Sequence, residues 1–88
     1  MDLFRLIVVT GDGTVFDDKV EYVNIPTGFC SVGVLAGHAP MLCAVAKGIV
    51  RAKRGEELAV RIAVGEGVAN VAENEATLLI SDGKLFED

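Results

Sequence analysis

A single histidine, two prolines, two cysteines and no tryptophan leave this chain short of the residues from which most catalytic and metal centres are assembled. Zinc sites and Ser-His-acid triads need several convergent partners, so one histidine argues against both. Cys30 and Cys43 stand thirteen positions apart, a spacing that fits neither a CxxC redox pair nor a zinc-ligand pair. Cys43, inside Met41-Leu42-Cys43-Ala44-Val45, reads as a small core residue. The two serines, Ser31 and Ser81, lie in no GxSxG elbow. Apolar runs are short as well. None approaches the roughly 20 residues of a spanning helix, so no transmembrane insertion is expected. Basic residues are outnumbered, eight against thirteen acidic ones, for a net charge of -5; that balance opposes sequence-independent nucleic-acid binding, which depends on neutralising phosphates. Glycine is plentiful, yet Gly11-Asp12-Gly13 and Gly65-Glu66-Gly67 each supply only half of a dinucleotide fingerprint and are read as turns. There is no GxxxxGK[ST] phosphate loop. Asp17-Asp18 lacks the spacing of a calcium loop and is read as a solvated bend. These absences predict no catalytic residue, no cofactor and no metal.

What the chain does have is alternation. Leu58, Val60, Ile62 and Val64 alternate with Ala59, Arg61 and Ala63, the pattern of a half-buried antiparallel strand. Leu3 to Thr10 is a β-branched-rich run, and Thr14-Val15-Phe16 follows the first glycine turn as its hairpin partner. Further short runs cover Val20 to Ile25, Phe29 to Leu35, Met41 to Ala46, Ile49 to Arg54, Val68 to Ala72 and Ala76 to Ser81. Turn residues punctuate them at near-regular intervals. No apolar pattern of period 3.6 persists long enough for a helix. Eight to ten short strands at this spacing predict an all-β fold, a sandwich or small barrel. Eighty-eight residues make one domain, of a size that is marginal alone and gains from a permanent partner. Asp2 and Arg5 interrupt the opening apolar residues, so no secretory leader is expected and the chain is read as cytoplasmic. Lys47, Arg51, Lys53 and Arg54 gather half of the basic residues in one stretch, read as a solvated hairpin with Arg51 and Lys53 on one face and Arg54 on the other.

The histidine sits in the most constrained stretch, Gly33-Val34-Leu35-Ala36-Gly37-His38-Ala39-Pro40. Gly37 can take positive φ, and Pro40 fixes its own φ while pushing Ala39 toward extended geometry. His38 between them is expected to cap the turn with its ring. Together with Lys47-Gly48-Ile49-Val50-Arg51, this stretch closely resembles the amino-terminal β-sandwich domain of the epsilon subunit of F-type ATP synthases. The resemblance extends through Val15-Phe16, Val20-Glu21, Val64 to Val68 and Ala76 to Ile80.

The resemblance implies a flattened sandwich of about ten mostly antiparallel strands in two sheets over residues 1–83, with 84–88 starting a linker. It implies a non-catalytic rotor subunit whose partners are the gamma stalk and the c-ring of the membrane sector. Such a subunit is peripheral, on the cytoplasmic side of an energy-transducing membrane, most simply a bacterial plasma membrane. Gly33, Gly37, His38 and Pro40 would be structural residues of the motif. The family's loop before Gly33 commonly carries acidic residues and meets the c-ring; Phe29, Cys30 and Ser31 stand there in this chain and become the expected ring contact. Family members commonly continue into a two-helix hairpin, whereas this chain ends at Lys84-Leu85-Phe86-Glu87-Asp88. A different class remains open from size and strand content, a biotinyl- or lipoyl-type cofactor carrier. It would need a lysine at a tight hairpin tip, for which Lys47 and Lys84 are the candidates.

Overall fold

The alternating runs become ten strands in the computed structural model, which describes residues 2–86. In chain order they are β1 (Phe4–Thr10), β2 (Gly13–Val20), β3 (Tyr22–Pro26), β4 (Ser31–Leu35), β5 (Met41–Val45), β6 (Gly48–Arg54), β7 (Glu57–Val64), β8 (Gly67–Ala72), β9 (Glu75–Ile80) and β10 (Gly83–Phe86). No helix occurs among the described residues. One sheet, sheet A, has the order β2-β1-β9-β8-β5, and the other, sheet B, the order β10-β7-β6-β3-β4. The two sheets pack face to face and do not close into a barrel, so the sandwich is the form realised. Every pairing is antiparallel except that of β1 with β9.

The core fills the space between the sheets, from Leu6, Val8, Ala69, Val71, Ala76 and Leu78 on one side to Val23, Ile25, Val34, Val50 and Ile62 on the other. Among the described residues every buried hydrophobic position belongs to this one cluster, and no charged or polar side chain is buried. Burying each large aliphatic side chain contributes about 1.5–3 kcal/mol, which is why alternation alone specifies which face of each strand turns inward. On β7, Val60, Ile62 and Val64 turn inward as their spacing predicts; the Leu58 side chain lies outside the described residues.

Three boundaries differ from those the sequence suggests. Asp17-Asp18 is not a bend: both residues lie within β2, and the chain breaks at Glu21 instead. Their carboxylates are accommodated because β2 is an edge strand and both remain exposed: Asp17, on the outer face, pairs with Arg5 of β1 at 2.7 Å, and Asp18, on the opposite face, reaches Arg54 of β6 in the other sheet at 3.1 Å. Phe29 and Cys30 do not begin a strand. β4 starts at Ser31, because the Thr27 amide and hydroxyl both donate to the Cys30 carbonyl and close a loop, with Gly28 at φ 100°. Finally, residues 84–86 extend the sandwich beyond residue 83, since β10 pairs with β7 from Gly83↔Val64 to Phe86↔Arg61. Glu87 and Asp88, the rest of the expected tail, lie outside the described residues.

Strand directions sort the connections onto two ends. The links 10–13, 26–31, 45–48, 64–67 and 80–83 share one end; 20–22, 35–41, 54–57 and 72–75 share the other.

Candidate functional site

The Gly-His-Ala-Pro turn joins β4 at the edge of sheet B to β5 at the edge of sheet A, one of the five links by which the described chain crosses between layers. Gly37 has φ 80°, a conformation that costs glycine nothing and a side chain of L chirality about 1–2 kcal/mol. His38 donates its backbone N–H to the Leu35 carbonyl at 3.2 Å, and its half-buried ring places Nδ1 2.6 Å from the Ala39 carbonyl oxygen. Pro40 is exposed in the link to β5.

A residue the sequence reading passed over ties this turn down. Asn74, in the β8–β9 turn with φ 62°, accepts the Gly37 N–H at 3.1 Å through Oδ1 and donates through Nδ2 to the Leu3 carbonyl at 3.0 Å. Its own carbonyl accepts the Arg5 N–H at 3.2 Å. Three segments distant in sequence meet on one side chain. The signal for it was present, because Asn is the residue that best tolerates the left-handed conformation of a tight hairpin.

Gly33 belongs to a different environment, midway along β4. A Cβ there would stand 2.9 Å from the ring of Tyr22, which lies across the glycine on the outer face of sheet B. Asn24 donates to the Tyr22 hydroxyl at 3.2 Å and to the Ser31 hydroxyl at 3.0 Å. Ser31 is thereby fixed. Phe29 and Cys30, at the end of the sandwich opposite His38, are not: Phe29 is 104 % exposed, and Cys30 is an exposed free thiol. The two groups of expected site residues are thus held apart by the length of the strands. Cys43 is partly buried against the core. Near the Phe29 loop, Lys47, Ile49, Val64, Glu66 and Asp82 line an open cleft of about 650 Å³. Of the two lysines a carrier domain could use, Lys47 lies in the short link from β5 to β6, and Lys84 stands inside β10 opposite Ala63 rather than at a tip.

The outer face of sheet A carries an apolar row. Ala44, Val68, Leu79 and Val9 form one cross-strand row over β5, β8, β9 and β1. Val68 and Leu79 are exposed, and Leu42 stands on the same face of β5 at 74 % exposure. A row of this kind marks an interaction surface more often than a lone exposed Leu does. Electrostatics elsewhere are local. The hydrogen bond from Arg5 holds the Asp17 carboxyl below its usual range, and the Lys19 N–H followed by Arg54 does the same for Asp18. Among the described residues no group of three acidic, His or Cys side chains could hold a metal ion.

Comparison with known sequences gives the decisive match. The family described as "ATP synthase, Delta/Epsilon chain, beta-sandwich domain" matches residues 3–84. The chain belongs to this family. The ATP synthase epsilon chain of Prochloron didemni is 40% identical over 80 residues, covering 91% of this chain and 58% of that one. The epsilon chain of Synechococcus sp. (strain JA-2-3B'a(2-13)) is 44% identical over 81 residues, with the same two coverages of 91% and 58%. The chain therefore spans somewhat more than half the length of these curated relatives. In fold it is similar to a chain in the cryo-EM structure of the Euglena gracilis mitochondrial ATP synthase, described as OSCP/F1/c-ring, at TM-score 0.85 and 21% identity over 94% of this chain and 53% of the other. A chain of the Tetrahymena thermophila mitochondrial ATP synthase, described as central stalk/cring, matches at TM-score 0.73 and 13% identity over 94% and 65%.

Proposed function

We propose that this delta/epsilon-type sandwich is a non-catalytic rotor element of an F-type ATP synthase, joining the gamma stalk to the c-ring and transmitting torque without chemistry of its own. Its place is peripheral, on the cytoplasmic side of an energy-transducing membrane, in the simplest case a bacterial plasma membrane. The observation that supports this reading is the presence of two separate exposed apolar features, one on a side of the sandwich and one at an end. The apolar row Ala44-Val68-Leu79-Val9 on the side of the sandwich is assigned to gamma, and the Phe29-Cys30-Ser31 loop at one end to the ring. A rigid sheet between two such surfaces transmits a load because its strands are cross-linked by continuous backbone hydrogen bonds.

Phe29 supports an apolar rather than an ionic ring contact: its side chain is wholly exposed, and no acidic residue stands between Thr27 and Ser31. Binding to isolated c-ring is then expected to depend weakly on salt, since apolar burial is not screened as exposed ion pairs are. Phe29→Ala should cost about 1–3 kcal/mol of ring binding and leave gamma binding intact, whereas Val68→Lys should do the reverse. Titrating parent and variants with c-ring and with gamma at low and high salt tests this. A steep loss of ring binding with salt, or a Phe29→Ala variant that binds the ring unchanged, refutes the anchor; failure of the parent to bind either partner refutes the rotor assignment.

A further inference from the structure

The four edge strands of the sandwich are not defended alike. Charge, bulges and shortness keep an edge from pairing with another chain. β2 carries Asp17, Asp18 and Lys19, and it bulges at Val15, which stands between the paired Thr14 and Phe16. β10 has only four residues, with Lys84 among them. β4 has Gly33 at its middle, which weakens a strand, and the Tyr22 ring lies across that glycine. β5, at the edge of sheet A, has none of these devices. Met41-Leu42-Cys43-Ala44-Val45 holds no charge, no proline and no glycine, and it runs in unbroken register against β8. Among the described residues no second strand pairs with it.

The length of this edge that can pair is bounded at both ends. Pro40 has no N–H to offer, and the Ala46 N–H is taken by the Pro26 carbonyl at 3.0 Å. On the outer face Leu42 and Ala44 are both exposed, and Leu42 is the most exposed large aliphatic side chain among the described residues. It stands outside the row Ala44-Val68-Leu79-Val9, two positions along β5 from Ala44.

We propose that β5 is a docking edge for a second copy of this chain, the two β5 strands pairing antiparallel about a twofold axis at Cys43. The bounded length selects the register. With Cys43 opposite Cys43 of the second copy, Leu42 stands opposite Ala44 and Met41 opposite Val45, so that all five residues of β5 pair. A shift of two residues forfeits two of those pairs, and a shift of one turns the second copy over. The composition selects the occupant. A strand without charge places no like charges opposite each other when it meets itself, and on the outer face the large Leu42 meets the small Ala44 in both halves of the seam. Each copy's Leu42 then extends the other copy's apolar row by one strand. Five residues a side are far fewer than the roughly 20–30 of a standard interface, which places this dimer in the weak, concentration-dependent class. The seam uses an edge of sheet A and neither its outer face nor the Phe29 loop, so its test does not depend on the rotor assignment.

The experiment takes the 88-residue chain, under reducing conditions, through sedimentation equilibrium from about 10 μM to about 1 mM. The mean mass is expected to rise from the 9.3 kDa of one chain toward twice that, with half-association on the order of 100 μM. Because the seam carries no charge, the association constant should change less than about twofold between about 50 and 250 mM salt. Leu42→Lys puts a charged guard on the β5 edge and should weaken association at least about tenfold. Leu35→Lys, at an exposed position of the β4 edge, should change it less than about twofold. A chemical trap reads the register, and keeps the proposal open to refutation should Leu42→Lys fold poorly. Directly opposed residues have Cα atoms about 4.5–5.5 Å apart, within the disulfide range. Oxidised glutathione should therefore join two Cys43 thiols as one disulfide, taking up their two electrons and two protons and leaving as two glutathione thiols. The covalent dimer should form at least about tenfold faster in Cys30→Ser than in Cys43→Ser, although Cys30 is the more exposed thiol. Amide shifts that move with concentration should centre on residues 41–45. A chain still monomeric at about 1 mM, equal effects of the Leu42 and Leu35 variants, faster cross-linking through Cys30, or shifts centred on Val68 and Leu79, the mark of stacked faces, would each overturn the proposal.

Discussion

Replacing Asn74 tests whether the crossing turn is held by the one side chain that bridges it to the amino-terminal segment. In the parent, Asn74 makes two side-chain hydrogen bonds, from the Gly37 N–H and to the Leu3 carbonyl, while its backbone stays at φ 62°. Both bonds are exposed, so each contributes at the low end of the usual range, about 0.5–1 kcal/mol. Asn74→Gly keeps the left-handed backbone at no steric cost and removes both bonds, for an expected loss of about 1–2 kcal/mol. Asn74→Ala removes the same bonds but keeps a Cβ in the left-handed region, which the Gly variant does not carry, and so lies about 1 kcal/mol below the Gly variant. The order of stability is therefore parent, then Gly, then Ala. In a domain of this size about 1 kcal/mol moves Tm by about 4–8 °C, so urea and thermal melts resolve the three proteins. Hydrogen exchange at the Gly37 and His38 amides reports the local part of the effect, and amides of the distant Phe29 loop should change no more than the global loss requires. A Gly variant as stable as the parent would show that the side-chain bonds contribute nothing. An Ala variant more stable than the Gly variant would show that the backbone at position 74 is not held left-handed.

Three further outcomes follow from the same geometry. Gly67→Ala should destabilise by about 3 kcal/mol or more, because its Cβ would run into the backbone of Leu79 and Ile80, which cannot yield without breaking the β8–β9 ladder; Gly65→Ala should cost clearly less, because it meets the Asp82 and Ser81 side chains, which can rotate away, and denaturant melts of the pair would contradict this if Gly65→Ala were the worse. His38→Ala should lower stability by about 1 kcal/mol through loss of the ring contact with the Ala39 carbonyl, with binding to gamma and ring unchanged in the assays above. Asp17 and Asp18 have folded pKa values below their unfolded ones, from the Arg5 hydrogen bond and from the Lys19 N–H with Arg54 respectively; their contribution is therefore complete above about pH 4 and lost as pH falls through the lower folded values, so Asp17→Asn should flatten the acid limb of a plot of Tm against pH, and an unchanged limb would show that the pair with Arg5 is not formed in solution.

The sequence by itself determined the class of fold and most of the core, for a local reason. Successive side chains on an extended backbone point to opposite faces, so Val60, Ile62 and Val64 had to turn inward together once one of them did. The family motif was also legible, because Gly37 and Pro40 restrict backbone angles wherever they occur. What lay beyond reach was everything decided by which strand neighbours which. Asp17-Asp18 reads as a bend until Arg5, twelve positions away, is placed on the adjacent strand to receive it. Asn74 reads as an ordinary turn residue until the parallel pairing of β1 with β9 brings Leu3 beside it, across 71 positions of sequence. The basic stretch from Lys47 to Arg54 reads as a solvated hairpin; only the strand order brings Arg61 of β7 and Lys84 of β10 alongside it. The apolar row on the opposite sheet is drawn from four strands, β1, β5, β8 and β9, and no window of local sequence contains it. Alternation tells each residue which way to face, and long-range pairing, driven by burial of the common core, decides what it faces together with.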